Sequence, residues 1–368
     1  MLKRYDTATL HQSGFSLVEL MVGLVIGLIA SLVIMQVFSA YEGQKRSTSG
    51  TADAQTNGSI ALHHIQRDVQ MAGYGLPMPS ADEENASLKC DPSPEFDHDG
   101  DPATDDLDIF PLAIKDGEGP NGSDVVIARF STKAMGAVPV KIGSDANKAN
   151  LEGLKAENNI GCQKMGGTDY YNIALISQGT SCRMAVIEGV EGDKTIRLNT
   201  SGAPIVDGAK IACMGDWQDH RYAIEKDDAE KYQLTLNGDP IVSEVVSMQA
   251  QYGVSEPIVS GEAKNTVVSW VDATGDWATP TVAFRNRIKA VRIAVVARND
   301  LLEKDAVTNQ CTTAKGVVNN GPCAWYDLDV DPAPAIDLSE IDNWQWYRYK
   351  TYETIIPLRN IIWSRGVL

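Results

Sequence analysis

Five aspartates recur in the stretch DHDGDPATDDLD, residues 97–108. Asp97, Asp99, Asp101, Asp105 and Asp108 occupy positions 1, 3, 5, 9 and 12 of a twelve-residue window. Carboxylates so spaced converge their oxygens on one hard cation in calcium loops of the EF-hand type. The chemistry on offer is calcium coordination, which would order the loop rather than catalyse a reaction. Two positions depart from the pattern. Pro102 stands at position 6, where the turn wants glycine, and Asp108 replaces the long bidentate glutamate. A solvated acidic loop accounts for the same residues. Elsewhere there is little to support catalysis. The five histidines are His11, His63, His64, His98 and His220, and none stands in an HExxH context. No nucleophile elbow, phosphate-binding loop or dinucleotide-binding glycine motif occurs. The expectation is a protein that is not an enzyme, with calcium as its one candidate cofactor.

Six cysteines, Cys90, Cys162, Cys182, Cys213, Cys311 and Cys323, all lie in the later part of the chain. An even count in an exported segment fits up to three disulfides, although six cysteines allow many connectivities. Cys311 and Cys323 bracket a short loop and make the first expected pair. Cys162 and Cys182 flank YYNIALIS and make the second, which leaves Cys90 with Cys213.

One further carboxylate is singled out by its neighbours. Glu19 sits in GFSLVELMVG, at the start of a run of 19 residues from Leu20 to Phe38 in which only Ser31 and Gln36 are plainly polar. With residues 15–18 added, the run spans a hydrocarbon core of about 30 Å. An ionised carboxylate there costs about 2.5–3.5 kcal/mol on insertion scales. One way to bear that cost is to snorkel to the membrane surface. The other is to meet a cation, and a cut after Gly14 creates one: the new α-amine of Phe15. In a helix starting at Phe15, Glu19 lies in the first turn and reaches that amine, or the amine of a neighbouring subunit. The polar leader before Gly14, with Lys3 and Arg4, fits such a cut better than it fits an ordinary signal peptide.

The leader, the glycine, the aromatic, the glutamate and the long apolar helix together resemble the class III signal of type IV pilins and type II secretion pseudopilins. The resemblance implies that a prepilin peptidase cleaves between Gly14 and Phe15, that Phe15 is then N-methylated, and that Glu19 is an assembly residue pairing with a Phe15 amine.

The elements that must position these residues follow from periodicity. Leu62, Ile65, Val69 and Ala72 recur at helical spacing, with Arg67, Asp68 and Gln70 set mostly on the other face, until Gly73 and Gly75 stop the helix. Residues 43–59 are rich in Gly, Ser and Thr and should form a weaker or melted middle. The chain therefore divides into a leader at 1–14, a transmembrane or filament-core helix at 15–38, an amphipathic half-helix at 39–75 and a globular head at 76–368. Residues 80–121 look like an acidic loop. Strand-like runs follow: DVVIARF, YYNIALIS, CRMAVIEG, KTIRLN, AKIACMG, RYAIEK, KYQLTL, VSMQAQYGV, RIKAVRIAVVAR and YKTYETIIPLR. A helix followed by many strands gives an α+β fold, the helix packed on a large antiparallel sheet. The aromatics Trp344, Trp346, Tyr347, Tyr349 and Tyr352 read as sheet packing ahead of a partner-binding face.

The order VSMQAQYGV, a loop with Trp270 and Trp277, RIKAVRIAVVAR and YRYKTYETIIPLRN resembles PilW-type minor pilins and, more distantly, the J-type minor pseudopilin of type II secretion. The resemblance implies a low-abundance, non-catalytic pilin-like subunit with its head in the periplasm. It would be anchored in the inner membrane before assembly and held at the pilus tip or cell surface afterwards. Its implied partners are other minor pilins, the major pilin, a large tip adhesin and the prepilin peptidase. A type II secretion pseudopilin is the nearest alternative, and a membrane-anchored adhesin or exported enzyme a more distant one. The net charge of −17 argues against general nucleic-acid binding.

Overall fold

The computed structural model describes residues 14–77, 90, 95–97, 107–133, 138–143, 154–159, 161–162, 172–192, 194–199, 208–257, 265–313, 316–325 and 334–362. It divides into two units, Met1–Gly50 and Thr51–Leu368. Helix α1, Leu17–Met71, contributes to both.

In the first unit, every described side chain from Phe15 to Lys45 is exposed. An 18-residue window of α1 has mean hydropathy 2.7 and no buried residue. Length and apolarity suffice for a membrane span. The Gly/Ser/Thr-rich middle is helical throughout rather than melted. Its hydroxyls bond back into the helix, Thr48 Oγ1 donating to Gln44 O at 2.9 Å and Thr56 Oγ1 to Ala52 O at 3.0 Å.

In the second unit the helix has one buried stripe: Ala54, Ala61, Ile65, Val69 and, just past its end, Ala72. It stops where Gly73 and Gly75 take φ of +82° and +92°. The turn then docks on a strand: Gly73 donates its N–H to Arg129 O, and Ser131 donates to Tyr74 O, each at 2.8 Å.

The head strands, in chain order, are β1 Glu95–Phe96, β2 Leu107–Asp108, β3 Leu112–Lys115, β4 Val125–Ser131, β5 Val140–Lys141, β6 Leu154–Lys155, β7 Asn172–Gln178, β8 Ser181–Glu191, β9 Thr195–Asn199, β10 Lys210–Lys226, β11 Tyr232–Leu236, β12 Asp239–Ser243, β13 Val245–Val254, β14 Ser269–Val271, β15 Ile288–Arg298, β16 Cys311–Thr313, β17 Gly316–Asn319 and β18 Tyr349–Pro357. Two single-turn helices, α2 Val282–Arg285 and α3 Arg359–Ile362, flank β15 and β18 in sequence.

A ten-stranded sheet runs β12-β11-β10-β7-β8-β9-β6, with β4 and β5 also on β10 and β3 on β4. A four-stranded sheet runs β14-β13-β15-β18, and β1-β2 and β16-β17 are two-stranded sheets. These pairings are antiparallel, so the fold is α+β with the second half of α1 on an antiparallel head. The main core joins Ala61, Ile65 and Val69 of α1 to Val126, Tyr222, Leu234, Met248, Ile293 and Ile356 from both sheets.

Two readings of the sequence change. AKIACMG and RYAIEK are one 17-residue strand, β10, which can serve two sets of neighbours because it bulges between Cys213 and Gly215. Gly215 has φ +81°, and a Cβ there would collide with Lys133 O. Strand β15 is buried along its whole length, and Trp270 and Trp325 cover Arg292 on its second face. Within the stretch read as a loop, residues 112–115 pair as a strand.

Two of the three expected disulfides are also corrected. Cys311–Cys323 forms as expected, with Cα atoms 5.0 Å apart, but the others are Cys90–Cys182 at 5.4 Å and Cys162–Cys213 at 5.7 Å. The pleat explains the exchange. Cys162 and Cys213 pack with Ala174 and Ala185 on one face of the sheet, while Cys182 packs with Ile173 and Met184 on the other. A Cys162–Cys182 bond would have to pass through the sheet.

Candidate assembly and docking sites

The N-terminal constellation lies on a formed helix terminus. Ser16, not Phe15, is the N-cap: its Oγ accepts the Glu19 N–H at 3.2 Å and its carbonyl accepts the Leu20 N–H at 3.1 Å. Ser16 and Glu19 stand in the Ser-x-x-Glu spacing of a capping box, a signal present in the sequence and passed over there. Phe15 is 84% exposed, and Glu19 sits in the first turn of α1, where the helix dipole favours a carboxylate. The structure thus brings Phe15 and Glu19 to one helix terminus, where both side chains are exposed.

A second constellation, in the head, fastens the helix to the sheet. Asp68 is buried on the stripe of α1, against the expectation that it faces outward. Its Oδ2 meets His220 Nδ1 and accepts the Tyr222 hydroxyl, both at 2.6 Å, and its Oδ1 accepts Arg67 Nε at 2.9 Å. The signal was its phase: Asp68 lies three residues after Ile65 and four before Ala72, squarely on the apolar stripe. Burial works to raise its pKa, but hydrogen bonds from His220, Tyr222 and Arg67 outweigh it and hold the carboxyl at about 2. Burial, and then Asp68, push the Tyr222 phenol upward. Phe130 closes the site with its ring edge-on to His220, centroids 4.7 Å apart. A buried carboxylate with three donors is a directional fastener for a helix.

Three more buried charges tie the head together. Arg129 donates to Asp219 Oδ2 at 2.8 Å and to Phe110 O at 2.9 Å, and reaches Asp108 Oδ2 at 3.5 Å. Arg298 meets Glu244 at 2.7 Å and lies over the Tyr347 ring at 4.4 Å. Asp124 clamps the β3–β4 connection to β13: its carboxylate accepts the Gly117 N–H at 2.9 Å and the Ala250 N–H at 2.7 Å. Burial lifts its pKa to about 7, Asp116 and Asp272 add to this, and the two N–H donors oppose it.

The aspartate loop falls largely outside the described residues, which include Asp97 and Asp108 but not Asp99, Asp101 and Asp105. Asp108 Oδ1 accepts the Phe110 N–H at 3.0 Å and its Oδ2 faces Arg129. Among the described residues no three His, Cys, Asp or Glu side chains gather as a metal site. His63 and His64 lie edge to face on α1, while His11 and His98 are outside the described residues. Trp344, Tyr347 and Tyr349 pack against the core, although Trp344 and Trp346 belong to a 3-10 turn and not to the strand.

A long N-terminal helix, apolar all round in one part and striped in the other, ahead of an antiparallel head, defines a pilin-like protein. Residues 9–35 match the prokaryotic N-terminal methylation motif, and residues 222–360 match the family described as type IV pilus-assembly protein W. The second match takes in the whole four-stranded sheet, and residues 36–221 lie outside both. No curated protein and no solved structure matches the chain. The chain is therefore a pilin-like protein related to type IV pilus assembly, with an N-terminal helix consistent with membrane anchoring.

Proposed function

We propose that this chain is a minor pilin of a type IV pilus: a non-catalytic subunit of the complex that primes assembly and sits at the tip. Its apolar helix docks among the helices of other minor pilins and the major pilin, and its head meets them and a large tip adhesin. A prepilin peptidase releases residues 1–14 and the Phe15 amine is methylated. Before assembly the helix crosses the inner membrane once, with the head in the periplasm. The observation that carries this reading is the joint presence of a methylation motif at 9–35 and a PilW match at 222–360 in one chain.

Glu19→Ala tests it. The variant is expected to insert and to be processed to an N-methylated Phe15, read by intact mass, yet to be missing from sheared pili. Wild-type incorporation would remove Glu19 from docking, and a chain still beginning at Met1 would remove the reading itself. A type II secretion pseudopilin makes the same N-terminal prediction. Deletion separates the two machines, since loss of pili with normal secretion is the expected result. Calcium in the 97–108 loop belongs to this proposal as an ordering ion. Calorimetry should show a higher melting temperature in calcium that is lost in Asp99→Ala; a wild type indifferent to calcium overturns that part.

A further inference from the structure

Strand β18 is nine residues long and stands at one edge of the four-stranded sheet. Its pairing with β15 fixes which backbone groups point outward. Leu358 donates its N–H to Lys289 O at 2.9 Å, Asn299 donates to Arg348 O at 3.4 Å, and the register between them sets Val291 opposite Ile356 and Ile293 opposite Thr354. Opposed residues in an antiparallel ladder alternate between bonded and non-bonded pairs. The even-numbered residues of β18 therefore turn N–H and C=O toward β15. Tyr349, Thr351, Glu353 and Ile355 turn theirs off the sheet, where no described residue bonds to them.

Open edges are templates for another strand, and proteins commonly shorten or interrupt them. The other ends of the two large sheets follow that rule: β14 has three residues, β6 has two, and β12 carries Pro240. Strand β18 is long, keeps four outward N–H groups, and carries Ile355 at 55% exposure. Its charge is also unlike that of the chain. Over 348–359 the cations Arg348, Lys350 and Arg359 outnumber the single anion Glu353; Arg348 is held by Glu303 at 2.6 Å, while Lys350 keeps an exposed ammonium beside the edge, in a protein of net charge −17.

We propose that the open edge of β18 accepts an extended acidic segment of another polypeptide as an added strand. Backbone bonds to Tyr349, Thr351, Glu353 and Ile355 supply affinity, an apolar side chain covers Ile355, and a carboxylate faces Lys350. Lys350 is exposed and has no ion pair among the described residues. A second copy of this chain fits the edge poorly. In an antiparallel pair of β18 strands, residues that meet share a face, and Lys350 and Glu353 point to opposite faces in every bonded register. The like net charges of two copies also repel.

The test uses the full chain in detergent and two blocked peptides, TVEVTVEVT and its counterpart with lysine for glutamate. Amide hydrogen exchange is read at Thr351, Glu353 and Ile355. The acidic peptide is expected to slow exchange at these amides at least tenfold, and the lysine peptide to have little effect. Thr351→Pro removes an outward N–H at an edge position that tolerates proline and should abolish protection. Lys350→Glu, an exposed change that leaves the ladder intact, should reverse the preference between peptides. Absence of protection in wild type, equal protection by both peptides, or an unchanged preference in Lys350→Glu overturns the proposal. So does sedimentation showing a peptide-free dimer already protected at these amides. Binding is read on the purified chain, so the result stands apart from the assembly role.

Discussion

Residues 17–38 and 51–71 of α1 share a backbone conformation and have opposite surfaces. In the first stretch Leu20, Val25, Ile29, Val33 and Phe38 are all exposed, on every side of the helix. In the second, Ala54, Ala61, Ile65 and Val69 are buried and His63 and Gln70 are not. A helix apolar all round has its apolar phase supplied from outside, as lipid or as other helices. A striped helix makes its own core with its own head. The first stretch stores information about neighbours, and the second about the fold.

Truncation should separate the two most strongly. Ile65→Ala empties a fully buried site and is expected to cost the head about 2–5 kcal/mol. Ile26→Ala, at a position 62% exposed, should leave the denaturation midpoint of the head unchanged. Urea unfolding of both variants in detergent, followed by a head tryptophan signal, makes the comparison. Equal losses would mean that the two stretches form one cooperative structure.

The same contrast governs what could be read in advance. Long apolar runs and the 65-69-72 stripe are local patterns, so the helix and the three C-terminal strands were legible. Glu19 stands out for the same reason, since its oddity lies within its own segment. The Asp68–His220–Tyr222 fastener joins residues more than 150 positions apart, and no periodicity announces such a pair. The other two disulfides failed similarly, although Cys311–Cys323 did not: their connectivity depends on which face of β7 and β8 each cysteine meets, and that requires the register. The bulge that merges two apparent strands into β10 rests on one glycine conformation that looks like a turn signal in sequence.

Buried acids in the head offer the next test, because two of them titrate in opposite senses. Asp68 has a folded pKa of about 2, below its unfolded value near 3.9, so its contribution is complete above about pH 4 and is lost as pH falls toward 2. Asp124 has a folded pKa of about 7, above the unfolded value, so its contribution is complete below about pH 4 and is lost as pH rises toward 7. Asp68 is worth on the order of 2–3 kcal/mol and Asp124 on the order of 4 kcal/mol. Head stability measured from pH 2 to pH 8 should rise and then decline. Asp68→Asn should flatten the acid limb alone and Asp124→Asn the other. A decline that survives in Asp124→Asn would mean that some other group titrates there.

Glycines make the finest distinction between the two stretches. A Cβ built on Gly58 runs into the ring of Tyr352, whose hydroxyl donates to Gln55 O at 3.0 Å. The ring cannot retreat without breaking that bond, so overpacking outweighs the gain in helix propensity. Gly58→Ala should therefore destabilise the head by about 1–2 kcal/mol. A Cβ on Gly27 meets nothing within 4 Å, which leaves only the propensity gain of up to about 1 kcal/mol, confined to a stretch of α1 whose side chains are exposed. Gly27→Ala is expected to leave the melting temperature of the head where it was. If Gly58→Ala is instead silent, Tyr352 has another rotamer available, and Tyr352→Phe, which keeps the ring and removes the hydroxyl, should then be silent as well. A loss in Tyr352→Phe close to that in Gly58→Ala would place the cost in the Gln55 bond and not in the ring.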